Sequence, residues 1–391
     1  MRILCGMCGH MPRLRNKGGK ECVTDMSKVL MKGNEAMAEA AMRAGCSCYF
    51  GYPITPQTEI AAYFAKHMQK RGGTFIQAES EIAAVNMTLG AASAGARAMT
   101  SSSSPGISLK SEGISYLAAS DLPCVIVNVE RGGPGLGGIQ PAQSDYNQAV
   151  KAPGHGDLRI PVLAPDSVPE TAELTFCAFD LADKYRTPVI ILSDGLIGQM
   201  MEPVDFSVFG LPEIPEKPWA CSGHGFKRKH NIINSLYLKP DMLENSVKDR
   251  FKRYKEIEEN ETKSESRFCN DAEIVITAFG SAARIAGAAV EAAREQGIKA
   301  GLFRPVTLYP FPVKELCAAV KNARCILDVE MNMGQMINDV KLYTECRLPV
   351  YFYGRTGGNI PSAEEILGEM IKITKNVSTA DICGADLTRR I

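Results

Sequence analysis

The chain has 391 residues, 45% of them hydrophobic and 23% charged, and its 44 Lys and Arg balance its 44 Asp and Glu. This length predicts two domains, and the even charge excludes the broad basic surface that nucleic acid or an anionic membrane would require. No uninterrupted apolar run reaches the roughly 18 residues of a membrane span, and the 13 scattered cysteines read as reduced thiols, which predicts a cytoplasmic protein.

The first 25 residues stand apart. They lack the apolar stretch of a secretory signal. Cys5, Cys8, His10 and Cys22 are metal-ligand types, but no second Cys-x-x-Cys pair accompanies them, so residues 1–25 are expected to be a disordered extension. A helix is predicted from Asn34, its N-cap, to Ala44, followed by a short strand at Cys48-Tyr49-Phe50. The segment Gly51-Tyr52-Pro53-Ile54-Thr55-Pro56 comes next. Its two prolines fix the backbone and hold Ile54 and Thr55 extended, with the Thr55 hydroxyl displayed at a strand end. The same pattern also suits a plain turn in which Thr55 caps a helix over Gln57 to Gln69.

A strand at Thr74–Gln77 precedes a helix from Glu81 to Ala96. Glu79 and Glu81 there complement the helix dipole. Glu81 has a second reading, because Ile82-Ala83-Ala84-Val85 carries it into the core. A buried carboxylate needs a hydrogen-bonding partner, and a protonatable ring nitrogen would serve. Ser101 to Ser104 with Pro105-Gly106 then open a helix over Ile107 to Ser120, either as a cap or as an anion site.

Pro123 to Val129 is an apolar strand of the kind buried on both faces of a parallel sheet. It runs to Arg131 and the loop Gly132 to Gly138. Gly133, Gly135 and Gly138 formally fit a dinucleotide fingerprint, but no helix opens after them. The glycines read better as a loop lying close to a ligand, with Arg131 clamping a carboxylate. His155 is a candidate acid–base group or a plain loop residue. A helix at Ser167–Lys184 and a strand at Pro188–Leu192 complete the first unit, residues 26–211. Neither a serine-hydrolase elbow nor a Walker A loop occurs.

Prolines 212, 215 and 218 and a charged stretch predict a linker with an exposed helix over 212–268. The second unit, 269–391, alternates strands (Glu273–Phe279, Lys299–Arg304, Cys325–Val329, Val350–Tyr353) with helices (Ser281–Gln296, Pro312–Lys321, Gly334–Glu345, Ser362–Thr374). The fold class is therefore α/β, with two parallel-sheet domains.

Several of these segments form an ordered set: Met31-Lys32-Gly33-Asn34-Glu35-Ala36, Gly51 to Gln57, Gln77-Ala78-Glu79-Ser80-Glu81, Thr100 to Gly106, Asp194 to Met200, Arg304 to Pro312 and Val329 to Gln335. From about Met26 onward the chain resembles the α subunit of the 2-oxoacid:ferredoxin oxidoreductases, nearest to the 2-ketoisovalerate (3-methyl-2-oxobutanoate) branch. The resemblance implies a pyrimidine-binding domain and a transketolase C-terminal-like domain that share thiamine diphosphate with a β subunit. It implies that Glu81 bonds the cofactor's ring nitrogen N1′ and manages its proton, with Pro53 and Ile54 also at the cofactor. Thr55 and Arg131 would hold the 2-oxo acid, whose acyl group passes to coenzyme A and whose electrons pass to ferredoxin. Arg131 offers one cation, which suits a mono-carboxylate with an apolar tail.

Ser193-Asp194-Gly195 only approximates the motif that holds diphosphate through Mg²⁺, and paired cluster-binding cysteines are missing. Mg²⁺ and the 4Fe-4S clusters are therefore expected on partners: the β subunit, a γ subunit and a ferredoxin-like δ subunit. No metal ligand is assigned to this chain, and no nucleic-acid or membrane partner. The competing readings are the same chemistry on 2-oxoglutarate or pyruvate, a non-catalytic scaffold subunit, a standalone transketolase-like enzyme and a dinucleotide-binding oxidoreductase.

Overall fold

Apolar runs alternating with small-residue helices sort the chain into two α/β units in a computed structural model, which describes residues 28–377. The Cys5, Cys8, His10 and Cys22 reading lies outside the described residues. The first part of the chain carries β1 (Lys28–Lys32), α1 (Gly33–Arg43), β2 (Cys48–Gly51), α2 (Thr58–His67), β3 (Thr74–Gln77), α3 (Glu81–Ser93), β4 (Ala98–Ser102) and α4 (Pro105–Ala119). There follow β5 (Cys124–Glu130), α5 (Tyr146–Val150), β6 (Val162–Leu163), α6 (Val168–Tyr185), β7 (Pro188–Asp194), α7 (Gly195–Gln199) and β8 (Met201–Asp205). Then come α8 (Pro240–Asn260), β9 (Ser264–Arg267), β10 (Ile274–Thr277), α9 (Gly280–Glu295), β11 (Ala300–Pro305) and β12 (Thr307–Tyr309). The last elements are α10 (Val313–Ala319), β13 (Cys325–Glu330), α11 (Met336–Tyr343), β14 (Val350–Gly354) and α12 (Ala363–Val377).

Seven strands form the first sheet in the order β12-β6-β7-β5-β4-β2-β3, all parallel except β12 at the edge. Every residue of β5 and β7 is buried, as expected for strands covered on both faces. On one face α1, α2 and α6 bring Met37, Ile60, Phe64 and Phe179 against Val125, Val127 and Ile191. On the other, α3 and α4 approach closely because position 113 is glycine: a Cβ there would lie 2.4 Å from Val85 Cγ1. That second core runs on through Phe279, Phe303 and Leu308, so the two units share apolar contacts.

The second sheet has the order β14-β13-β10-β11-β9, parallel except for β9. Two parts of the structure depart from the sequence reading. Residues 212–268, read as a linker, include β9 at the sheet edge and α8, whose Arg250, Tyr254 and Ile257 are buried at helical spacing, with Tyr254 and Ile257 packed on Tyr185. Three anchors among 21 mostly polar residues were too sparse to outweigh the charge. Likewise, Thr307–Tyr309 sits in the second unit's sequence but adds β12 to the first sheet.

The topology also locates a crevice. The chain runs outward from β2 to β3, then crosses back to β4 and β5. The carboxyl ends of β2 and β4 thus flank a switch point, where open α/β sheets take their ligands.

Candidate active site

The Pro-Ile-Thr-Pro turn leaves the carboxyl end of β2 and is braced from three sides. Asn34 donates to the Pro56 carbonyl at 2.8 Å, and Gln57 Nε2 donates to the Tyr52 carbonyl at 3.2 Å. Ser101, from β4, donates to Gln57 Oε1 at 2.6 Å and shares a second short bond with the buried Tyr49 hydroxyl. The turn is thereby fixed, with Pro53 and Thr55 exposed and Ile54 half-buried at the crevice.

Glu81 is the first residue of α3. Ser80 caps that helix by accepting from the Ala83 N–H, which points the Glu81 side chain at the end of β4. It is only 6% exposed, and its carboxylate accepts no hydrogen bond among the described residues. Gly106, in the first turn of α4, creates the space it occupies: a Cβ there would lie 2.0 Å from Ser102 Oγ and 2.8 Å from Glu81 Oε1. The hydroxyl of Ser102 is buried without a partner beside it, and that of the next residue, Ser103, is likewise buried without a partner. Beneath them lies Lys110, fully buried, donating to Thr100 Oγ1 at 2.5 Å and the Ser101 carbonyl at 2.9 Å. Burial lowers its pKa to about 7, with Glu81 pulling the other way.

Arg131 follows β5. Its guanidinium donates to the carbonyls of Thr55 (3.0 Å) and Leu136 (3.2 Å), while Nε is buried without a partner. It therefore ties the β2 turn to the glycine-rich loop. Ser104 bonds the Arg131 N–H at 3.0 Å and donates to Asp145 at 2.6 Å, and Asn128 donates to the same carboxylate. The second unit latches this loop. Gln335 donates to the Ser144 carbonyl, and Asn332 to the Gln143 carbonyl. Glu330 in turn accepts from Asn332 and from three N–H groups at the start of α11. Burial, with Asp145, Asp194 and Glu330 nearby, pushes Glu130 well above the usual carboxylate range.

Glu81, Thr55, Arg131, Pro53 and Ile54 thus gather at the carboxyl edge of one sheet. His155 does not: it is exposed and packs edge-on against Tyr116, ten residues beyond Gly106 along α4, or about 15 Å at the helical rise. Ser101 to Ser104 divide their work between bracing (Ser101, Ser104) and unpartnered hydroxyls (Ser102, Ser103). Asp194 caps α7 through the N–H groups of Leu196 and Ile197 and accepts from Ser281 of the second unit. No cluster of three or more His, Cys, Asp or Glu suited to a metal occurs among the described residues. Sequence reasoning passed over Lys110, although a lysine in the small, apolar helix Ile107 to Ser120 was a visible signal.

Residues 39–264 match the family described as pyruvate flavodoxin/ferredoxin oxidoreductase, thiamine diphosphate-binding, and residues 272–366 match core domain II of pyruvate:ferredoxin oxidoreductase. The chain is 48% identical to the ketoisovalerate oxidoreductase subunit VorB of Methanothermobacter marburgensis, over 89% of this chain and 98% of that one. It is 35% identical to the 2-oxoglutarate synthase subunit KorA of Methanothermobacter thermautotrophicus, over 88% and 98%. Among solved structures it superposes on a 2-oxoglutarate:ferredoxin oxidoreductase from Magnetococcus marinus with TM-score 0.77 and 27% identity. That match covers 88% of this chain and 65% of the other. A split-gene transketolase shares the fold, with TM-score 0.56 and 14% identity.

Proposed function

The chain belongs to the pyruvate flavodoxin/ferredoxin oxidoreductase family, thiamine-diphosphate enzymes that oxidise 2-oxo acids, and from that premise we propose that it is the α subunit of an enzyme converting 3-methyl-2-oxobutanoate to its acyl-CoA. The observation that carries the reading is Glu81: a nearly buried carboxylate without a hydrogen-bond partner among the described residues, facing a glycine cradle. With the unpartnered hydroxyls of Ser102 and Ser103, it fits the donor and acceptor edge of an aminopyrimidine ring. When bound, thiamine diphosphate supplies the nucleophilic carbon and the electron sink for loss of carbon dioxide.

Glu81 holds and releases a proton at the ring nitrogen, aided by its place at the positive end of α3. Pro53 and Ile54 shape the crevice wall. Arg131 fixes the turn and the glycine loop, and with the Thr55 hydroxyl it would hold the substrate's carboxylate and carbonyl. Mg²⁺ and the diphosphate would be held by a β subunit, and 4Fe-4S clusters on ferredoxin-like partners would supply the path for electrons to ferredoxin. The working division is a pyrimidine-binding unit from residue 28 to 211, a segment over 212–268 whose α8 packs on that unit and whose β9 joins the second sheet, and a transketolase-like unit from 269 onward that lends β12 to the first sheet.

The branched substrate is supported by the higher identity to ketoisovalerate subunits than to 2-oxoglutarate subunits. It also agrees with a site that presents one arginine: a distal carboxylate would be desolvated without a partner. Comparing kcat/KM for 3-methyl-2-oxobutanoate and 2-oxoglutarate on the assembled enzyme tests it. Preference for the branched acid is expected, and preference for 2-oxoglutarate would overturn it.

A further inference from the structure

Lys110 is a buried titratable group that the mechanism above leaves unused. It lies one helical turn after Gly106 on the same face of α4, and helical side chains lean toward the N-terminus. Its stem therefore passes under the glycine cradle toward the end of β4. There two of its three N–H bonds go to neutral oxygens, Thr100 Oγ1 and the Ser101 carbonyl. Neither oxygen balances the charge. The titratable groups facing it are Glu81 from α3 and Cys124 from β5. Burial pushes the Cys124 thiol up to about 12 and keeps it neutral, which leaves Glu81 as the acidic group acting on the ammonium, through space rather than as a contact ion pair.

We propose that Lys110 is a positioning residue for the Glu81 proton, its ammonium stabilising the Glu81 carboxylate from below while the opposite side of that carboxylate faces the crevice. The inference rests on assigning Glu81 to the cofactor ring. A nearly buried carboxylate without a hydrogen-bond partner is costly to leave as an anion. A cation behind it offsets that: the proton leaves a Glu81 carboxyl oxygen for the ring nitrogen, the ammonium stays protonated, and the charge left on the carboxylate is compensated. Burial draws the lysine's own titration down to about 7, so this support is withdrawn as pH rises through neutrality.

Two readouts on the assembled enzyme test the idea. In cofactor-free enzyme, the infrared carboxyl signal of Glu81, isolated by subtracting Glu81→Gln, is titrated with pH. In loaded enzyme, hydrogen–deuterium exchange at the cofactor's reactive carbon is measured across the same range. Lys110→Met and Lys110→Gln should each raise the Glu81 titration by about 1–3 pH units, the usual effect of losing an adjacent opposite charge. They should also move the acid limb of the exchange profile by the same amount. Lys110→Arg, which keeps the charge, should restore the wild-type acid limb. Lys110→Gln retains polar contacts to Thr100 and Ser101, so it reports even where the methionine variant assembles poorly. An unchanged Glu81 titration in both neutral variants would make Lys110 a structural lysine and overturn the proposal. Wild-type exchange in Glu81→Gln would instead remove Glu81 itself, and the proposal with it.

Discussion

Replacing Gly106 by alanine separates the geometry of the site from ordinary helix energetics. Gly106 lies in the first turn of α4 and its φ is not positive, so the backbone accepts alanine. Helix propensity alone predicts a gain of up to about 1 kcal/mol. Packing predicts the reverse, because the new methyl would sit 2.0 Å from Ser102 Oγ and 2.8 Å from Glu81 Oε1. Ser102 has no hydrogen bond to lose and can rotate away, but the Glu81 carboxylate has to shift. Overpacking of this kind costs about 1–3 kcal/mol, so the net effect on stability is a loss of roughly 0–2 kcal/mol once propensity is credited. Function should suffer far more, since a misplacement of about 1 Å in a reacting group costs on the order of a hundredfold. Thermal unfolding of the assembled enzyme, set beside hydrogen–deuterium exchange at the cofactor, reads both quantities. A more stable variant with wild-type exchange would refute the packing of Glu81 against Gly106.

Lys110 supplies a pH prediction of known sign. Its titration in the folded chain falls from 10.5 to about 7, so the unfolded chain binds the extra proton between those values. Stability contributed by this group therefore rises with pH across that window, and its cost is fully present below about pH 7. Relative to wild type, Lys110→Met should therefore lose stability by a few kcal/mol as pH rises from 7 to 10; denaturant melts at several pH values check this. Arg304, nearly buried, contacts Glu170 through two bonds of 2.7 and 2.9 Å and also reaches Glu265. Arg304→Met leaves Glu170 without its cation, while Glu265 keeps Arg267, and should cost about 3–5 kcal/mol by denaturant melts. The isolated chain, titrated with thiamine diphosphate and Mg²⁺, should show no micromolar binding, since the diphosphate ligands are assigned to the β subunit.

Long buried strands were legible because β-branched runs such as Pro188 to Leu192 have few alternatives. The helix start at Glu81 was legible because Ser80 and the acidic residues mark it. Weakly patterned elements escaped. Ala98–Ser102 is an interior strand whose only large apolar residue is Met99, the rest being alanine and hydroxyl residues, so its apolar pattern is weak. Thr307–Tyr309 joins the first sheet through pairing with β6 that no local signal encodes. At the site, residue types pointed to Glu81, Thr55 and Arg131, but not to how Arg131 is spent. A sequence shows a guanidinium; only the fold shows it bonded to the Thr55 and Leu136 carbonyls.

We propose that this chain supplies the proton-managing carboxylate at the cofactor ring. Hydrogen–deuterium exchange at the cofactor's reactive carbon, measured in the assembled Glu81→Gln enzyme, tests it most directly. Glutamine keeps the shape and one acceptor but cannot release a proton, so exchange should slow by about 10²–10⁴ with assembly intact. Glu79→Gln, exposed and before the helix, should exchange like wild type. Wild-type exchange in Glu81→Gln would contradict the account.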